Sequence, residues 1–234
     1  MMETSLVHYA TAGFYVVSAI VLTAATARKT ADSRYYCYPF IALIVLAGAM
    51  AVVWGAGLGR ITIGAGELVV PQAVTDYPAY ILLFGSAAYM ANAEKRYITA
   101  VVGLLLLARV AYDIVTLFNG VIGLIGNLVI FVGYLGAVGL LFGPVATIAK
   151  QQSPQRELLY KKTRNLVVFI FAMLVIWSQL QVTGLLDQFT LAVTLQYTNV
   201  VFRVGFAAFV IMNVEVLSEH AFTDSTRPTT LVSH

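Results

Sequence analysis

Charge is what this sequence is shortest of: Asp, Glu, Lys and Arg make up 11% of its 234 residues, against 60% hydrophobic ones, and the mean hydropathy is +0.85. A soluble domain of this length needs a charged exterior to hide its apolar interior, so that class is excluded. A single cysteine, Cys37, rules out an internal disulfide and reads as a small packing residue at the start of an apolar run. The three histidines, His8, His220 and His234, are scattered and have no cysteine or carboxylate cluster beside them, which excludes a histidine-built metal site. Neither a GxSxG, an HExxH nor a phosphate-binding loop occurs, so nothing in the chain supports enzymatic chemistry. Basic residues are missing from Met1 to His8, so the first apolar run reads as a retained helix and not as a cleaved signal. Internal repeats and low-complexity segments are also absent.

What is present is a series of apolar runs. A bilayer core of roughly 30 Å needs about 20 apolar residues per helix. Seven runs meet that length, at 6–27, 36–58, 69–93, 97–118, 121–148, 160–182 and 187–216. Between them stand Arg28-Lys29, the Gly-rich stretch Gly59 to Gly66, Glu94-Lys95-Arg96, Asn119-Gly120, the polar segment Lys150 to Arg164, and a short turn near Gly184 and Asp187. The expected fold is all-α: a seven-transmembrane-helix bundle over 1–220 with a short polar tail at 221–234, spanning the cell membrane many times. With the N-terminus outside, the inner loops and tail hold Arg28, Lys29, Arg34, Lys95, Arg96, Lys150, Arg156, Lys161, Lys162, Arg164 and Arg227, and the outer loops hold only Arg60. That bias places the C-terminus inside and accounts for the net charge of +3 as a topology signal. Basic residues spread over several loops do not form a nucleic-acid surface; the partner they indicate is the lipid bilayer.

Four charges lie deep within the predicted spans, away from the span ends: Asp76, Arg109, Asp113 and Arg203. A charge at membrane depth costs at least several kcal/mol unless paired or watered, so each marks a candidate site. Arg109 and Asp113 are spaced i, i+4 and share a helix face. They read either as a self-neutralising pair that packs the bundle or as a way in for ions. Arg203, about 16 residues into the last span, falls near mid-bilayer at 1.5 Å per residue. It follows a polar stripe of Gln196, Tyr197, Thr198 and Asn199. A bidentate contact between Arg203 and Asp76 would neutralise both. Most of the Tyr and Phe residues read as core and interface belt, with Tyr15, Tyr77, Tyr80, Tyr89, Tyr134 and Tyr197 as candidates to line a cavity. Gly48, Gly55, Gly59, Gly133 and Gly136 read as positions of close helix packing.

The segment Tyr197-Thr198-Asn199-Val200-Val201-Phe202-Arg203-Val204-Gly205-Phe206 resembles the last helix of microbial rhodopsins, particularly those of haloarchaeal sensory rhodopsins. Arg34-Tyr35-Tyr36, Gly143-Pro144, Arg164-Asn165-Leu166 and the approach from Pro71 to Tyr77 extend the resemblance over nearly the whole chain. It implies that Arg203 stands where the family carries its retinal-binding lysine. Asn199 then stands at an aspartate of the counterion, Asp76 at the primary counterion and Tyr77 at a pocket tryptophan. Shifting the third helix by three residues would put Ala79 and Tyr80 at the last two positions; Asp76 leaves the smaller gap before the fourth helix.

The departures bear on function. A Schiff base needs a neutral primary amine, and a guanidinium with a pKa above about 12 cannot supply one. The lysines, Lys29, Lys95, Lys150, Lys161 and Lys162, all fall in inner loops, so no covalent cofactor is expected. On the sixth helix the family's Trp, Tyr and Pro match Phe171, Leu174 and Val175, and Trp177 falls one residue before the second tryptophan. The pocket-lining candidates are therefore Tyr77, Tyr80, Phe171, Leu174, Trp177 and Thr198. The arginine expected before the counterion matches Ala73, and the proton donor of a pump matches Ala87, or Met90 in the shifted register. The resemblance thus implies an opsin-like protein without its chromophore: a scaffold or regulatory partner of another membrane protein, or a homo-oligomer (dimer or trimer). A non-covalent binder of retinal, carotenoid or another apolar ligand is the second reading, and an ion transporter or channel the third.

Overall fold

The computed structural model describes residues 2–64, 66–118, 120–183 and 185–216. The expected tail at 221–234, together with Arg227, His220, His234, Asn119 and Gly184, lies outside the described residues. The helices are α1 (Met2–Ala27), α2 (Ala31–Gly55), α3 (Val70–Met90), α4 (Lys95–Leu117), α5 (Gly120–Phe142), α6 (Pro144–Ala149), α7 (Pro154–Thr183), α8 (Gln188–Val200) and α9 (Phe206–Asn213). A five-residue π turn, Val201–Gly205, joins α8 to α9 in one rod, and α6 continues α5 past Gly143. Among the described residues the result is a bundle of seven rods, six of them long and apolar enough to cross a membrane by composition. The seventh, α3, is less apolar because it carries Gln72, Thr75, Asp76, Tyr77, Tyr80 and Ser86. It packs against α2, α4 and α7, and the face bearing Asp76, Ala79, Tyr80, Leu83, Ala87 and Met90 is buried, at the i, i+3/i+4 spacing of one helix stripe.

The outside of the bundle is apolar. Leu124, Leu135 and Met212 are 70%, 63% and 75% exposed, which suits a lipid-facing surface and identifies a multi-pass membrane protein. Small residues let the rods approach. A Cβ on Gly133 of α5 would come within 2.8 Å of the Leu104 carbonyl oxygen and 3.2 Å of Ala108 Cβ on α4. Gly48 and Gly55 of α2 similarly meet Tyr15 and Tyr9 of α1.

Two stretches differ from the expectation. The stretch from Gly59 to Gly66 is not a plain turn: β1 (Arg60–Ile63) pairs antiparallel with β2 (Gly66–Val69). Gly66 seats this hairpin on the end of α4, because a Cβ there would overlap the Thr116 carbonyl and lie 2.5 Å from Leu117 Cα. The sixth rod begins at Pro154 instead of 160; Ser153 accepts from the Arg156 backbone N–H at 3.4 Å and proline occupies the first helical position. Its first turns are polar, so a search for apolar runs passes over them.

Candidate functional site

The four intramembrane charges form one chain of contacts, not two separate pairs. Nη2 of Arg203 donates to Asp76 Oδ1 at 2.6 Å, and Nε of Arg109 donates to the other oxygen, Oδ2, at 3.1 Å. Nη1 of Arg109 then donates to Asp113 Oδ1. Asp76 is therefore shared between two guanidinium groups, and its contact with Arg203 is end-on instead of bidentate. Register between helices decides this: Asp76 on α3 lies level with both Arg203 in the π turn and Arg109 on α4. Two guanidinium groups and two carboxylates sum to zero formal charge, which is the condition for holding all four in the bundle.

Further polar groups close the shell. Arg203, only 4% exposed, also donates to Thr75 Oγ1 at 3.0 Å and to the buried Tyr15 hydroxyl at 3.3 Å; its Nε has no partner among the described residues. The Tyr77 hydroxyl donates to Asp113 Oδ2 at 2.9 Å, and the Arg109 guanidinium lies over the Tyr77 ring at 5.4 Å and the Tyr112 ring at 5.2 Å. The π turn widens the last rod where Arg203 leaves it, a local irregularity often associated with sites.

The remaining sequence-selected residues separate into three places. Asn199, 3% exposed, lines a small cavity with Arg203, Gln196, Thr75 and Tyr15; it sits beside the guanidinium, and the carboxylate that binds Arg203 is that of Asp76. Thr198 is buried and turned to its own helix, donating to the Thr194 carbonyl at 2.8 Å. Tyr80 and Phe171 meet edge to face at 5.4 Å between ring centroids, and Phe84, Tyr134 and Phe202 complete an aromatic cluster around them. Leu174 packs between this core and Trp177, whose indole N–H donates to the Leu191 carbonyl at 3.2 Å. Tyr197, a cavity candidate by sequence, is 70% exposed on the outer surface, and Tyr89 is 44% exposed.

A large feature escaped the sequence. At the end of the bundle that carries the hairpin, a vestibule of about 940 Å³ descends from the rim to Gln72, Arg109 and Asp113. Its wall draws on α1, α2, the hairpin, α3, α4, α5, α7 and α8, and no single segment of sequence announces it. In the opposite direction from Arg203 the bundle is closed by Leu83, Phe84, Phe202 and Phe206, each 1% exposed or less.

No family model matches the chain, and no curated protein is similar to it in sequence. Its fold, by contrast, is that of microbial rhodopsins. It is similar to the light-driven proton pump rhodopsin of Coccomyxa subellipsoidea, with a TM-score of 0.81 at 14% identity over 90% of this chain and 96% of that one. The light-driven proton pump of Leptosphaeria maculans superposes at 0.82 with 10% identity, covering 93% and 96% of the two chains. Thermophilic rhodopsin from Rubrobacter xylanophilus gives 0.75 at 13% identity, covering 92% and 98%.

Proposed function

We propose that this protein is a lysine-less member of the microbial rhodopsin family that holds no covalent chromophore and serves as a membrane scaffold or regulatory partner. The observation that carries the reading is Arg203, buried at the position the resemblance assigns to the retinal lysine and engaged by Asp76, Thr75 and Tyr15. A guanidinium is protonated and delocalised at any biological pH and forms no Schiff base. Its role here is that of a permanent cation in the place of a protonated imine, locking α3, α4 and the last rod in one charge state.

The residues present do not fit retinal. Tyr80 on α3 and Phe171 on α7 occupy positions matched to the family's pocket, and their rings touch each other at 5.4 Å. A polyene layer between two faces needs a wider gap, so the same contact argues against non-covalent retinal or carotenoid in the centre. The transporter reading draws support from the two neighbours that are light-driven proton pumps. Against it stands the apolar plug of Leu83, Phe84, Phe202 and Phe206 beyond Arg203, which leaves the charge chain open towards one end only.

A scaffold has partners. The apolar outer face suits another helix bundle or a second and third copy of this chain. Cross-linking in native membranes followed by mass spectrometry tests this. A discrete hetero-complex, dimer or trimer is expected; only uncross-linked monomer would contradict the reading.

A further inference from the structure

The vestibule at the hairpin end has a wall built for a ligand. Its volume, about 940 Å³, falls in the range of roughly 300–1,000 Å³ common to small-molecule sites. Two polar atoms in that wall have no hydrogen-bond partner among the described residues: Nδ1 of His8 and Nε1 of Trp54. His8 is 3% exposed, and its ring stacks on the Trp54 indole at 4.3 Å, so both groups are held in place instead of being swung out to solvent. A buried donor or acceptor left unmatched costs free energy, and a bound molecule that draws this stacked pair slightly towards the vestibule would recover it.

The wall also indicates the chemistry of that molecule. Its charges cancel: Arg60 pairs with Glu67 at 3.3 Å at the rim, and Arg109 and Asp113 at the floor belong to the neutral chain of four. An ionic ligand would add an uncompensated charge at the floor; a neutral one would not. Around those pairs stand the carboxamides of Gln72, Asn127, Gln181 and Gln188, which both donate and accept, as hydroxyl groups require. The Tyr112 hydroxyl donates to Gln181 Oε1 at 3.1 Å, fixing one of them. The side chains of Trp54, Tyr112 and Trp177 complete the wall. Aromatic rings beside carboxamides suit a ring that has apolar C–H groups and a hydroxylated edge.

We propose that the vestibule binds a small neutral polyhydroxylated solute, of the size and chemistry of a sugar. The site does not depend on the chromophore-free reading, since it lies at the hairpin end, away from the Tyr80–Phe171 cluster.

The chain contains two tryptophans, Trp54 and Trp177, and both line the vestibule, so intrinsic fluorescence reports on it directly. Full-length protein in detergent is titrated with glucose, with acetate as a charged comparator and glycine as a zwitterionic one that lacks hydroxyl groups. A saturable change in tryptophan emission with glucose, absent with the comparators, is expected. His8→Phe keeps the stack and removes the unpartnered nitrogen; Gln181→Leu removes a carboxamide from the rim. Whichever variant keeps the parental melting temperature should weaken glucose binding about tenfold. A response to glucose that fails to saturate, an equal response to acetate or glycine, or parental affinity in a folded variant would overturn the proposal.

Discussion

Asp76 accepts a 2.6 Å hydrogen bond from Arg203 through one carboxylate oxygen, and this end-on contact leaves the other oxygen to Arg109 at 3.1 Å. One acid thereby couples three helical rods, and charge at the centre becomes a property of four residues.

The first prediction concerns that coupling. Asp76→Asn leaves Arg203 buried with only Thr75 and Tyr15, and should cost about 3–5 kcal/mol, the cost of breaking a buried pair from one side. Arg203→Met should cost less, because Asp76 keeps Arg109. The double variant Arg203→Met with Asp76→Asn leaves the neutral Arg109–Asp113 pair and should lie closer to the parent than Asp76→Asn alone does. Thermal unfolding in detergent measures all three; strictly additive losses would show that the charges act independently.

Tyr77 supplies a second test. Its hydroxyl donates to Asp113 at 2.9 Å, and hydrogen bonds to charged groups contribute about 1.5–3 kcal/mol. Tyr77→Phe should lower the melting temperature, whereas Tyr197→Phe, on a side chain 70% exposed to the outside, should leave it unchanged. Equal effects of the two would contradict the placement of Tyr77 in the charge chain.

Close packing of α4 on α5 gives a third. Gly133→Ala places its Cβ 2.8 Å from the Leu104 carbonyl oxygen and should cost about 1–3 kcal/mol through overpacking. Gly139→Ala on the same helix meets nothing within 4 Å and should be neutral or slightly stabilising, since alanine is the better helix former. The comparison of the two melting curves decides it, and a neutral Gly133→Ala would mean the rods stand farther apart.

The aromatic cluster gives a fourth. With Tyr80 and Phe171 in contact, restoring a lysine by Arg203→Lys should not by itself produce a pigment on addition of all-trans retinal. A visible band in that variant would show that the rings part to admit the polyene.

Six of the seven rods are legible as long apolar runs and α3 as a more polar one, and the Arg109–Asp113 contact is legible because i, i+4 spacing is a local property of one helix. The Arg109–Asp76 contact is not, since it depends on how far α3 and α4 slide past one another. The hairpin has a weak signal in the sequence: Arg60-Ile61-Thr62-Ile63 and Glu67-Leu68-Val69 flank Gly64, a short β-rich pair around a turn, inside a Gly-rich stretch whose composition alone reads as a break between helices. The π turn at Arg203 leaves no compositional trace, and the vestibule is assembled from residues scattered between Thr4 and Leu195.

The most direct test of the central claim is the visible absorption spectrum of the unmodified protein, purified from lipid-rich membranes to which all-trans retinal has been added. The account predicts only the absorption of free retinal, with no red-shifted band. A stoichiometric red-shifted pigment in the unmodified chain would mean that the centre still holds its chromophore, and would contradict it.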